Sequence, residues 1–172
     1  GMLADDSLGF DEMLPAIVEL ANAALDELVA TRRREGEKLA DMIRERVLRM
    51  RELVAQATPR MPAVVVEYQE RLTAKLRDAV ASLDEDRIRQ EVALYAQRID
   101  VDEELTRLAT HLDEVERILK SGGAAGKRLD FLMQELNREA NTLASKSPAT
   151  DITAIAMEMK VLIEQIREQV QN

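Results

Sequence analysis

The chain has 172 residues, of which 46% are hydrophobic and only four are aromatic, and its formal net charge is −9. Many Leu, Ala, Glu and Arg residues combined with few aromatic residues are typical of long helices and helical bundles, so the composition predicts an all-α protein. The absence of cysteine excludes disulfides, thiolate zinc sites and cysteine nucleophiles, and no apolar run is long enough to span a bilayer, which predicts a cytoplasmic protein without a membrane partner.

The first predicted element is a long amphipathic helix. Residues 1–9 are expected to be a disordered lead-in before it. We expect a single helix over residues 11–56, because Gly36 inside it costs only about 1 kcal/mol. Apolar residues recur along it at helical spacing: Leu14, Ile17, Val18, Ala21, Leu25, Leu28, Leu39, Met42, Ile43, Val47, Met50 and Val54.

A second helix is predicted to begin at Thr58 and Pro59. Thr is a common N-cap, and Pro is favoured at the first helical position because its missing N–H is not needed there. The apolar stripe of this helix comprises Val65, Tyr68, Leu72, Leu76, Ala79 and Leu83. The two helices are therefore expected to form a long antiparallel hairpin over residues 10–83.

Residues 84–172 are predicted to form a C-terminal helical bundle. Helix-start signals occur at Asp84, at the Asp-Val-Asp-Glu sequence of residues 100–103 and at Ser147-Pro148, and two glycines interrupt the pattern at residues 122 and 123. Four helices are expected. The apolar residues of the second are spaced by three and four, as in a coiled coil, and predict a partner helix: Leu105, Leu108, Leu112, Val115 and Leu119.

His111, the only histidine, lies in the predicted helix that contains Leu105 and Leu112. Glu104, Arg107 and His111 are spaced at i, i+3 and i+7, so they form one ridge beside the apolar seam. Such a ridge offers a metal ligand, a general acid or base, or an arginine that binds phosphate. The alternative is a hydrogen-bonded packing histidine, and no second histidine is present to complete a zinc site.

The GGAAGKR sequence at residues 122–128 superficially resembles a phosphate-binding loop. Only three residues separate Gly122 from Gly126, Arg128 stands where Ser or Thr should hold magnesium, and a helix rather than a strand precedes it. We therefore interpret it as a turn between helices. Lys127 and Arg128 are still candidates to contact an anion near the start of the next helix.

That next helix is unusually polar over FLMQELNREANTLASKS. Its Asn, Thr and Ser residues cost several tenths of a kcal/mol each in a helix. Glu135 and Glu139 are one turn apart, and two carboxylates at this spacing can hold Mg²⁺ or Mn²⁺. Asn137 and Asn141 repeat the spacing with amides that can bond ribose or phosphate. The alternative is a buried polar network that sets helix register.

Several segments resemble the C-terminal part of the bacterial YicC-like family: RIDVDEELTRLATHLDEVERIL, GKRLDFLMQELNREANTLASKS and AMEMKVLIEQIREQVQN. The resemblance covers most of residues 10–172, and the string LDF-x-x-QE-x-NRE-x-NT-x-x-SK is highly specific. It implies a cytoplasmic endoribonuclease that depends on a divalent metal, Mn²⁺ or Mg²⁺, and that acts in bacterial RNA turnover. It also implies a homohexamer that encloses RNA.

The candidate site residues belong to two of these segments, and their roles are assigned from their chemistry. For catalysis we expect His111, in proton transfer, together with Glu104 and Glu135. For metal binding we expect Glu135 and Glu139. For RNA binding we expect Arg107, Lys127, Arg128, Arg138, Asn141 and Lys146.

Members of the family carry a further N-terminal domain, with strands, before the point where this chain begins. We expect the chain without that domain to lack part of the RNA enclosure and to have reduced or no activity. The alternative function is a non-catalytic helical oligomerisation or adaptor module, in which the apolar seams bind partner helices.

Overall fold

The computed structural model describes residues 10–79 and 84–171. They form five helices: α1 (Phe10–Ala79), α2 (Glu85–Arg98), α3 (Asp102–Ser121), α4 (Gly126–Lys146) and α5 (Thr150–Gln171). The all-α prediction is therefore confirmed. The expected lead-in, residues 1–9, lies outside the described residues. Among the helices described, none combines the length and the apolar character needed to cross a bilayer.

The predicted hairpin is wrong, because α1 continues through Thr58 and Pro59. The Thr58 hydroxyl donates to the Val54 carbonyl at 2.8 Å, as it does inside a helix. Pro59 and Ala55, whose carbonyl loses its usual donor, are both exposed, so water can satisfy that carbonyl. Packing of a continuous buried row offsets the cost of proline: Ile43, Val47, Met50, Leu53, Ala57, Met61 and Val64.

The chain divides into two compact units, Gly1–Asp41 and Met42–Asn172. The division falls inside α1, whereas the sequence pattern suggested a boundary at residue 84. In the first unit, large apolar side chains of α1 are 40–71% exposed: Met13, Leu14, Ile17, Val18, Leu20, Leu25, Leu28 and Val29. The first unit therefore presents an apolar helix surface.

The core of the second unit is formed by apolar rows on α1, α3, α4 and α5. The row on α3 ends at buried Ile118 rather than at Leu119, which is half-buried. Ion pairs tie α1 to its neighbours, with Arg51 Nε 3.0 Å from Glu116 on α3 and Arg49 Nε 2.7 Å from Glu158 on α5. This unit contains all of the predicted site residues.

A short turn at residues 122–125 reverses the chain, so α3 and α4 pack antiparallel. Gly122 and Gly123 have φ values of 67° and 80°. Residues with a Cβ atom rarely adopt positive φ values, whereas glycine does so readily. The interpretation of GGAAGKR as a helix-to-helix turn is thus confirmed. The pairing of α3 with α4 places the two site-bearing segments side by side.

Candidate functional site

Polar side chains face one another across α3 and α4 in four successive pairs, which we call the α3–α4 polar row. In order along the row the pairs are Glu104–Lys146, Arg107–Glu139, His111–Glu135 and Glu114–Arg128. Successive members on α3 are three or four residues apart, and those on α4 are seven or four apart. All of them therefore lie along one edge of the helix pair.

A potential metal-binding cluster lies in the middle of this row. His111, Glu135 and Glu139 each offer one ligand atom, and the three atoms lie within 4.8 Å of one another. Glu139 is buried, whereas His111 and Glu135 are half-buried, so the cluster is accessible from one side. The sequence pattern pairs the two carboxylates and assigns His111 to proton transfer. The structure brings His111 into the same group.

The donor set of this cluster fits a divalent cation. One imidazole nitrogen and two carboxylates suit Mn²⁺, and carboxylates supplemented by water suit Mg²⁺. Glu139 Oε2 is buried and finds no hydrogen-bond partner among the described residues. A buried carboxylate oxygen needs a donor or a nearby positive charge to offset the cost of its desolvation. Arg107, 2.9 Å away, supplies part of that charge, and a bound cation would supply more.

Arg107 contacts Glu139 without fully satisfying it. Arg107 Nε lies 2.9 Å from Glu139 Oε2, so the two side chains form a close ion pair. The guanidinium also pairs with Glu103 and lies 3.5 Å from Glu104. Glu139 and these acids raise the pKa of Arg107. Arg107 is therefore a fixed positive charge beside the cluster.

Glu104, which is buried, and Lys146, which is half-buried, form one end of the row. Lys146 Nζ donates to Glu104 Oε1 at 2.8 Å and to the Asp100 carbonyl at 3.2 Å. Glu104 is only 3% exposed. It lies seven residues before His111, about 10 Å along the helix axis, and reaches the cluster only through Arg107. The alternative interpretation of a buried polar network describes this half of the row.

The remaining predicted RNA contacts lie on the surface of α4. Arg138 and Asn141 are exposed, and Arg138 follows Glu135 by three residues, so it projects beside the cluster. Arg128 pairs with Glu114 at 3.4 Å, and Lys127 is exposed one residue earlier. Lys127 and Arg128 lie in the first turn of α4, and Arg138 and Asn141 lie in its second half. They are not brought into contact with His111.

Sequence reasoning missed two acids, Glu114 in the row and Glu103 beside it. Glu103 pairs with Arg107 within one turn of α3, and the i, i+4 spacing of an acid and a base is a signal that could have identified it. Glu114 accepts from Arg117 in its own helix and from Arg128 across the turn. No local signal predicts the second contact, because it depends on the register of α3 against α4.

Comparison with known proteins identifies relatives over nearly the whole chain. Residues 57–172 match the family described as "Endoribonuclease YicC-like, C-terminal". The chain is 52% identical over 166 residues to a probable endoribonuclease YicC of Haemophilus influenzae, covering 94% of this chain and 58% of that protein. A probable endoribonuclease YicC of Clostridioides difficile is 37% identical over 152 residues, covering 87% and 52%. The chain spans about half the length of these curated relatives.

Proposed function

Because this chain belongs to the YicC-like endoribonuclease family, we propose that it carries the catalytic centre of a metal-dependent endoribonuclease. The substrate is RNA, whose phosphodiester bonds the protein cleaves in the cytoplasm as part of bacterial RNA turnover. The observation that carries the proposal is the grouping of His111, Glu135 and Glu139 within 4.8 Å. The two relatives, each described as a probable endoribonuclease YicC, support the reaction class.

Glu135 and Glu139 would hold Mn²⁺ or Mg²⁺. When bound, such an ion stabilises negative charge on a phosphoryl oxygen and activates a hydroxyl nucleophile. The buried position of Glu139 keeps one carboxylate in a constant orientation. The partial exposure of Glu135 leaves room for the phosphodiester. The two carboxylates thus have different surroundings and different tasks.

His111 has two roles open to it at this position. It either completes the ligand set with one ring nitrogen or transfers a proton to or from a reacting oxygen. Cleavage by water and cleavage by the ribose 2′-OH both require a proton to leave the nucleophile and another to reach the leaving oxygen. Both routes are compatible with a half-buried imidazole beside Glu135.

Arg107 and Arg138 flank the cluster and are suited to phosphate. Arginine binds phosphate through two N–H groups at once. Arg107 is 38% exposed at its side chain and is held in place by acids on α3 and α4. We assign Glu104 and Lys146 to positioning Arg107, because their charged groups are already engaged with each other.

The intact protein is proposed to act as a homo-oligomer, with the family's hexamer as the expected state. The apolar surface of α1 in the first unit supports this proposal, because soluble monomers rarely expose so many large apolar residues together. The same surface is what favours the alternative of a non-catalytic oligomerisation module. The His111 cluster does not favour that alternative, because an oligomerisation module does not require a group of potential metal ligands.

Cleavage of a short labelled RNA tests the proposed function. Cleavage by this chain is expected to be weak, to require Mn²⁺ or Mg²⁺, and to fall about 100-fold or more in Glu135→Gln, which loses a proposed metal ligand. Glu91→Gln, which alters an exposed acid on α2, is the matched control. Full cleavage by Glu135→Gln, with the fold intact by circular dichroism, would refute the proposal.

A further inference from the structure

Phe131 is 59% exposed on α4, although the chain has only four aromatic residues. Its neighbours Leu129 and Leu132 are buried, so α4 has a core-facing side and Phe131 lies off it. A single exposed apolar residue is ordinary in proteins and needs no explanation by itself. The surroundings of Phe131 are what make its exposure informative.

Positive charge accumulates beside Phe131 at the α3–α4 turn. Residues 117–129 contain four bases and no acid, in a chain whose net charge is −9. Two acids, Glu114 and Glu116, pair with three of these four bases. The positive charge of the four bases therefore exceeds the negative charge of these two partners by two. An open cavity of about 300 Å³ lies here, and its lining consists of Glu114, Ile118, Lys127, Arg128, Phe131 and Leu132. An aromatic ring, two basic side chains and one carboxylate, which is paired with Arg128, therefore adjoin the same space.

This cavity and the candidate metal cluster lie along the same side of α4. Lys127, Phe131 and Glu135 follow one another at i, i+4 and i+8, so they share one side of α4. Phe131 is one helical turn from Glu135, about 6 Å along the axis. An extended polyanion that lies along this edge therefore passes from the basic turn over Phe131 to the cluster.

We propose that Phe131 is a stacking platform for one nucleobase of single-stranded RNA, with Lys127 and Arg128 against the adjoining phosphates. The identity of the polymer rests on the proposed function. A single strand is required, because bases in a duplex do not present their faces to a side chain. A protein partner fits less well, since Phe131 is the one strongly exposed apolar side chain among those that line the cavity.

A tryptophan at this position provides a direct test, because the chain contains none. Phe131→Trp is titrated with a short oligoadenylate in EDTA, so that binding is read without cleavage. Base stacking should quench the fluorescence of the new tryptophan. Leu94→Trp, at a residue that is 56% exposed on α2, is the matched control and should not be quenched. Inorganic polyphosphate, which has charge but no bases, should leave the Phe131→Trp signal unchanged.

Loss of the ring should weaken binding. Phe131→Leu is expected to reduce oligoadenylate affinity about tenfold, which is the scale of one stacked base, while Phe131→Trp keeps it. The fold is checked by circular dichroism. Unchanged affinity in Phe131→Leu, or equal quenching in both tryptophan variants, would overturn the proposal. So would a Phe131→Leu variant that binds RNA normally but changes its sedimentation mass, because Phe131 would then contact protein.

The two proposals fail separately. Quenching of Phe131→Trp by oligoadenylate, together with no metal-dependent cleavage, supports the stacking platform and rejects the placement of the catalytic centre in this chain. Cleavage that depends on Glu135 but is the same in Phe131→Leu, with no quenching, supports the nuclease and overturns the platform.

Discussion

Lys146 on α4 donates a hydrogen bond across the helix pair to Glu104 on α3, with 2.8 Å between Nζ and Oε1, at a carboxylate that is only 3% exposed. A buried carboxylate without a cation is strongly destabilising, so this pair couples the C-terminal end of α4 to the N-terminal end of α3. Because Glu104 also adjoins Arg107, the pair helps to set the position of Arg107 beside Glu139.

Removal of the lysine should destabilise the second unit. Lys146→Met is expected to lower the free energy of unfolding by about 2 kcal/mol, less than for a fully buried pair because the lysine side chain is 35% exposed. Urea denaturation measures the change. The double variant Glu104→Gln/Lys146→Met should lose less than the sum of the single changes, since no charge is left unpaired. Strict additivity would argue against a direct interaction.

Replacement of Arg107 should affect metal binding and cleavage in opposite directions. Arg107→Gln removes a positive charge 2.9 Å from Glu139, so Mn²⁺ should bind more tightly, by about tenfold or less. RNA cleavage should fall, because the proposed phosphate-binding group is lost. Calorimetry with Mn²⁺ and a cleavage assay provide the two readings. Arg107→Lys, which retains the charge, should leave Mn²⁺ affinity near that of the parent; a parallel loss of both properties in Arg107→Gln would contradict the prediction.

Pro59 is predicted to lower the stability of the protein, because it lies inside a helix. Because Pro59 lies inside α1, Pro59→Ala should stabilise the protein, by up to about 3 kcal/mol. Pro148→Ala is the control, since Pro148 lies between α4 and α5, and it should change stability little. Thermal unfolding of the three proteins makes the comparison. No gain from Pro59→Ala would favour a helix start at that position.

Stability in acid should depend on Arg60. A hydrogen bond from Arg60 lowers the pKa of Asp151, and another lowers the pKa of Glu67. A carboxyl whose folded-state pKa is depressed contributes stability above its unfolded pKa, near 4, and loses it as the pH falls through the folded value. Arg60→Gln should therefore be less stable than the parent at pH 7, and the difference should shrink below about pH 4.

Urea denaturation at several pH values measures this difference. Arg32→Gln, at an exposed arginine of the first unit, is the control and should show no comparable trend. A gap between Arg60→Gln and the parent that stays constant down to pH 2 would rule out these two ion pairs as its source.

The apolar surface of α1 in the first unit should mediate self-association. Leu25, 57% exposed, lies in the apolar row formed by Leu14, Ile17, Val18, Ala21, Leu25 and Leu28. Leu25→Asp should reduce the sedimentation mass, because a charge would be buried in the contact. Leu20→Asp, which is equally drastic but lies off that row, should have a smaller effect. Identical masses for both variants and the parent would exclude this row as the contact.

Local features of the sequence were sufficient for much of the fold. The Asp84 side chain caps α2 through the Asp86 N–H, and the glycines at 122 and 123 form the turn between α3 and α4. Such signals act over a few residues, so they can be read without knowing what packs nearby. Thr58 and Pro59 give an equally strong local signal, yet burial of the row through Ala57 and Met61 overrides it.

The sequence by itself determined the helical class, the segments that carry the polar residues and the family resemblance. Only the tertiary structure decided that His111 joins Glu135 and Glu139, and that Lys146 faces Glu104 rather than open solvent. These partners are 24 to 42 residues apart along the chain. Helical periodicity specifies which residues share a face, but the register of α3 on α4 is set by how the buried apolar side chains of both helices interlock.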